Sequence, residues 1–159
     1  MSTAVETLSD YELERGKPMP SLLHSIVQSN LILLLKSTYG KTYHVLPELS
    51  IAAPDNRPLV PDIAIYPKFE IDWQNDVLRS EETPLATVEI LSPKQNLSDL
   101  NAKAQRYFQM GVTSCWIVLP SMEAIAVNHQ PGKYRFFSGD ETLIDERISV
   151  ELPLGEVFR

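Results

Sequence analysis

The sequence predicts an α/β (α+β) domain in which a mixed central β-sheet is flanked by helices. Three observations carry that prediction. Leu22, Leu23, Ile26, Val27, Leu31, Leu34 and Leu35 recur at the spacing of one helix face. Short apolar or alternating stretches follow, punctuated by proline and glycine in the manner of strands and turns. Residues 86–119 run strand, helix, strand, a crossover that sets its two strands parallel with the helix against one sheet face.

Residues 1–7 are expected to be loose, and residues 8–14 to form a short helix ended by Gly16, Pro18 and Pro20. The next helix starts at Ser21, carries His24, and stops near Tyr39 and Gly40, where glycine supplies the cap. Residues 42–53 alternate imperfectly around Pro47, residues 54–58 (Pro-Asp-Asn-Arg-Pro) are turn chemistry, and residues 59–66 read as the returning strand of an antiparallel hairpin. Residues 67–84 hold Glu70, Asp72, Asp76, Glu81 and Glu82 without strong periodicity. They read as a solvated surface connection with a short helical turn at 76–79. Strand 86–91, helix 97–110 and strand 114–119 form the crossover. Residues 123–128 and 134–138 make an edge hairpin, followed by a short strand near Ile148 and a terminal segment at 152–158.

At 159 residues the chain has the size of one domain, taken as 1–159. A domain of this size buries roughly 68–70% of the surface its unfolded chain exposes, so it folds without disulfides. The single cysteine, Cys115, lies in an apolar run and has no partner within the chain, as expected of an intracellular protein. No signal peptide is apparent. The longest aliphatic run, residues 31–35, is far short of the roughly 20 residues a membrane span needs. A cytoplasmic protein without membrane association is expected. The net charge of −7 argues against a general basic nucleic-acid binder but is compatible with a metal-dependent enzyme acting on nucleic acid.

Three charged residues do not fit a bland core. Asp62 interrupts an apolar strand pattern directly after Pro61; it either faces water at an edge or is an acid held on a rigid strand. Glu89 sits in the middle of a strand that a crossover covers on both faces, where a carboxylate is costly unless paired or metal-bound. Lys103 falls on the apolar arc of its helix, between Met110 and Tyr107. Its ammonium either snorkels to water, pairs with Asp99 one turn earlier, or turns toward the two acids. Two carboxylates from neighbouring strands plus a lysine describe a Mg²⁺ site, since magnesium takes oxygen ligands and keeps several waters. His24, His44 and His129 lack metal-ligand spacing, and His24 reads as structural. There is no Gly-rich phosphate loop, no cysteine pair and no Gly-x-Ser-x-Gly elbow.

Val60-Pro-Asp-Ile-Ala64, Val88-Glu-Ile-Leu-Ser-Pro93, Asp99-x-x-x-Lys103-x-x-x-Tyr107-x-x-x-Gly111-Val112 and Cys115-Trp-Ile-Val118 resemble the Uma-two family of restriction-endonuclease-like proteins, within the PD-(D/E)XK nuclease superfamily. Tyr11-Glu-Leu-Glu-Arg-Gly16, ahead of the helix carrying His24, is similar as well. The resemblance implies a restriction-endonuclease-like core and a Mg²⁺-dependent endonuclease, Mn²⁺ substituting, that hydrolyses DNA. Asp62 and Glu89 would be the metal-binding acids, joined by the backbone carbonyl of Ile90. The superfamily's lysine belongs two residues after Glu89, where this chain has Leu91; the resemblance implies that it has migrated to Lys103, four residues before Tyr107. Glu14 and Tyr107 are implied as supporting residues, and Lys94 competes for the lysine role. Cutting both strands implies a homodimer or higher homo-oligomer. The alternative is a catalytically inactive nuclease fold acting as an interaction or nucleic-acid-binding module. That alternative predicts that Glu89→Ala leaves stability unchanged or raised, on the premise that Glu89 is an unpaired buried acid.

Overall fold

The computed structural model describes residues 10–159; the segment expected to be loose, 1–7, and the first two residues of the first expected helix lie outside them. Helix α1 spans Asp10–Arg15 and ends at Gly16, whose φ of 70° is left-handed. Helix α2 spans Leu22–Tyr39. Its N-cap, Ser21, accepts from the amide of His24, and Gly40 closes it by donating to the carbonyl of Lys36.

Strands β1 (Tyr43–Pro47), β2 (Ile63–Pro67), β3 (Ala86–Ile90), β4 (Ser114–Leu119), β5 (Ala124–Gln130) and β6 (Lys133–Ser138) form one sheet in chain order. Only β3 and β4 pair in parallel, because helix α3 (Leu97–Gln109) connects them. The β1–β2 pair is antiparallel as the sequence predicts, but β2 begins at Ile63 rather than Leu59. Pro58 and Pro61 lack the N–H groups a continuous strand would need there. Leu59 instead makes an isolated bridge to Ile51.

The connection 67–84 contains no helical turn at 76–79. It is anchored by the Tyr66 hydroxyl, which donates to the Glu82 carbonyl at 3.0 Å. After the edge hairpin, β7 (Thr142–Asp145) pairs with β8 (Val150–Pro153), and helix α4 (Leu154–Val157) follows. The sequence reading missed β7.

Side-chain alternation splits the core between the sheet's two faces. Ile63, Ile65, Val88, Ile90, Trp116 and Val118 pack with Val27, Leu31 and Leu35 of α2, together with Leu143, Val150 and Leu152 of the terminal hairpin and Leu154 and Val157 of α4. On the opposite face α3 contributes Ala104 and Tyr107 to a cluster with Leu59, Val112 and Cys115, and Leu100 packs on Ile117 and Ala126. A capping box starts α3: Asn96 accepts from the amide of Asp99, whose carboxylate accepts from the amide of Asn96. That use of Asp99 leaves Lys103 to find another partner. Among the described residues, no helix is long and apolar enough to cross a membrane.

Candidate active site

Three carboxylates line up across neighbouring strands, where β1 ends, β2 begins and β3 nears its end. The β2–β3 register pairs Ile63 with Val88, and one residue further it sets Asp62 opposite Glu89. The β1–β2 register pairs Pro47 with Ile63, so the same step sets Glu48 opposite Asp62. Glu48 has a left-handed φ of 55°, and its amide donates to the carbonyl of Asp62 at 3.3 Å. Like charges facing one another across strands are unfavourable, and this row is largely buried: Asp62 is 0% exposed and Glu89 3%. Such a row folds only with counter-charges.

Helices and one loop supply them. From α1, Arg15 places Nε 2.8 Å from Glu48 Oε2 and Nη2 3.0 Å from both Glu48 Oε1 and Asp62 Oδ1. Its remaining nitrogen, Nη1, donates to the Pro18 carbonyl. Lys17, in the loop between α1 and α2, bonds Asp62 Oδ1 and also Glu89 Oε2, the latter at 2.8 Å. From α3, Lys103 reaches Glu89 Oε1 at 2.8 Å, and Tyr107 donates to the same oxygen at 2.7 Å. The Nε2 of His24, in the first turn of α2, lies 2.8 Å from Asp62 Oδ1, while its buried Nδ1 has no hydrogen-bond partner among the described residues. Gln28 donates to Glu48 Oε1 and to the Asp62 carbonyl. The second oxygen of Asp62, Oδ2, accepts from the backbone amide of Ile90 at 2.6 Å.

The electrostatics follow from burial and partners. Burial pulls the Asp62 carboxyl up, but Lys17 and His24 outweigh it and hold the group well below the usual carboxylate range. Burial lowers Lys17, yet Glu89 and Asp62 together raise it above an ordinary lysine. Lys103 goes the other way: burial lowers it, and Glu89 offsets only part of that. Burial and then Glu89 push the Tyr107 phenol well up.

The fold therefore brings together Asp62, Glu89, Lys103 and Tyr107. The shown contact between Ile90 and the acids runs through its N–H. Glu14 lies elsewhere, its exposed carboxylate 2.5 Å from Arg79 and 3.1 Å from the Ser50 hydroxyl; the further acid beside Asp62 is Glu48. The sequence reading did not anticipate Glu48, Arg15 or Lys17, and it set His24 aside as structural. Arg15 and Lys17 flank a glycine among prolines, a pattern that signals a helix end and says nothing about which way a cation turns. Among the described residues, His24, Glu48 and Asp62 offer ligand atoms within 4.8 Å of one another, a group able to hold a metal ion.

The model of the Uma2 family, "Putative restriction endonuclease", matches residues 3–154. The chain belongs to that family. A crystal structure of a putative nuclease belonging to DUF820, from Anabaena variabilis, aligns with a TM-score of 0.76 and 20% identity. The match covers 89% of this chain and 83% of that one, which shows a shared fold. A DrdV–DNA complex solved by electron cryomicroscopy aligns at 12% identity over 79% of this chain and 9% of its own, with a TM-score of 0.39 too low to bear on fold or substrate. No curated protein matches the chain. The Uma2 assignment agrees with the architecture described above, a mostly antiparallel six-stranded sheet between helices.

Proposed function

We propose that this Uma2 protein is a divalent-metal-dependent endonuclease that hydrolyses DNA phosphodiester bonds, using Asp62, Glu89 and Lys103. The observation that carries the reading is the placement of Asp62 opposite Glu89 where β2 begins and β3 nears its end, with Lys103 of α3 on Glu89. The family description supports nuclease chemistry, and DNA is the substrate the reading takes from it.

The donor set fits a hard cation. It consists of the Glu89 carboxylate on β3, the Glu48 and Asp62 carboxylates one residue outside β1 and β2, and the His24 Nε2 beside Asp62. Asp62 and Glu89 would hold Mg²⁺, or Mn²⁺ in its place, with the Ile90 carbonyl as a further ligand and Glu48 and His24 near Asp62. When bound, such an ion polarises the phosphodiester and lowers the pKa of a bound water. Lys103 orients that water and stabilises charge developing on phosphorus. Tyr107 fixes the Glu89 carboxylate by holding Oε1. The chain acts in the cytoplasm as a homodimer, one site for each strand, and sedimentation tests the dimer.

One observation favours a second reading, an inactive nuclease fold serving as an interaction module. Three cations, Arg15, Lys17 and Lys103, already neutralise Glu48, Asp62 and Glu89. Leu91 also stands where the superfamily places its lysine. Incubating purified protein with linear and circular DNA, with Mg²⁺ or Mn²⁺, separates the two. The nuclease reading expects cleavage that Glu89→Ala abolishes. Cleavage that survives alanine at all three positions overturns the site, and no cleavage with either metal favours the module.

A further inference from the structure

We propose that Lys17 is the resident counter-ion of the Asp62–Glu89 pair, and that a divalent cation binds there by displacing its ammonium. The inference rests on the reading of these two acids as metal ligands. Lys17 is the one cation among the described residues shown bonded to both acids, Asp62 through Oδ1 and Glu89 through Oε2. Its side chain is wholly buried, so the ammonium occupies space between the carboxylates rather than covering them from solvent.

Charge counting requires a departure. The cluster is neutral with its three acids and three cations, and a dication added to a buried neutral cluster is strongly disfavoured. One resident cation has to leave. Arg15 is the most firmly held, its guanidinium bonding Glu48 through two nitrogens, Asp62 and the Pro18 carbonyl. Lys103 rides on α3, whose packing on the sheet fixes its stem, and it touches Glu89 but not Asp62. Lys17 is in a loop, one residue after Gly16 and its left-handed turn, where backbone rotation breaks no helical hydrogen bond. It is the cation whose withdrawal frees an oxygen on each acid.

The same contacts explain how the two acids stay opposed without metal: the ammonium offsets their repulsion, so the site is formed before a dication arrives. Its ability to serve as a placeholder follows from its compact charge and flexible stem.

Calorimetric titration of Mn²⁺ into the whole protein tests this on wild type, Lys17→Met, Lys103→Met and Glu89→Gln. Lys17→Met is expected to bind Mn²⁺ at least about ten-fold more tightly than wild type, because no ammonium then has to leave the two acids before the dication can bind. Glu89→Gln should lose binding. A second measurement leaves the wild-type chain intact: lysine acetylation mapped by mass spectrometry should find Lys17 protected without metal and modified at saturating Mn²⁺. If wild type binds, Glu89→Gln does not, and Lys17→Met binds no more tightly, the displacement is overturned while the metal site stands. Lys17 staying protected at saturating Mn²⁺, or tightening by Lys103→Met alone, overturns it as well. If neither wild type nor any variant binds Mn²⁺, the reading of the acids as ligands fails and the displacement with it.

Discussion

The Tyr107 hydroxyl donates to Oε1 of Glu89 at 2.7 Å, from a side chain with no exposure. The ring packs beside Ala104 and Cys115, so Tyr107→Phe keeps the packing and deletes only the hydrogen bond. Hydrogen bonds to charged groups contribute about 1.5–3 kcal/mol, and urea denaturation should show a loss of that size.

Glu89→Ala should destabilise the protein by about 3–5 kcal/mol, the usual effect of removing one partner of a buried ion pair. Two lysines, Lys17 and Lys103, lose a carboxylate at once. The structure removes the premise that Glu89 is unpaired, so a rise in stability is no longer expected of the inactive reading. Only cleavage separates the two functions. In a double-mutant cycle, Lys103→Met in the Glu89→Ala background should be less damaging than Lys103→Met alone.

A third buried acid, beyond Asp62 and Glu89, lies on the other face of the sheet. Asp145 accepts from Trp116 Nε1 at 2.7 Å and from the Arg147 amide at 3.1 Å, and lies 2.9 Å from His129 Nε2. Asp145→Ala would leave the buried indole N–H unsatisfied, with an expected loss of about 1–3 kcal/mol. Altered Trp116 fluorescence in the folded variant should report the change directly.

Alkaline pH should weaken the fold through Cys115. Burial pushes its thiol up to about 12, against a smaller downward pull from the Thr87 hydroxyl. An unfolded thiol titrates near about 8.5. Below that pH both states hold the proton and the folded state loses nothing. Above it the unfolded chain releases the proton first, so stability falls by about 1.4 kcal/mol per pH unit up to the folded value. Thermal melts from neutral pH upward should show a shallower decline for Cys115→Ala. A thiol reagent at mildly alkaline pH should label wild type only on unfolding.

Much of the scaffold was readable because period and punctuation are local properties. The leucines of α2, the crossover of β3, α3 and β4, and the β5–β6 hairpin each announce themselves within a short window. β7 was missed because Thr142–Asp145 is four residues long and is stabilised by pairing with β8, a partner outside any local window. The start of β2 was placed too early because apolar side chains continued back through Pro61, while the backbone could not.

By itself the sequence determined that Asp62, Glu89 and Lys103 are charges in apolar surroundings, since alternation and helical angle place each side chain relative to its own element. It could not say what answers those charges. That depended on strand register, which sets Glu48, Asp62 and Glu89 in a row, and on how α1 and the chain that follows it lie on the sheet, which turns Arg15 and Lys17 inward. Register and chain path are settled by contacts between residues far apart in sequence. A buried charge has to be answered by whichever partner the folded chain brings to it.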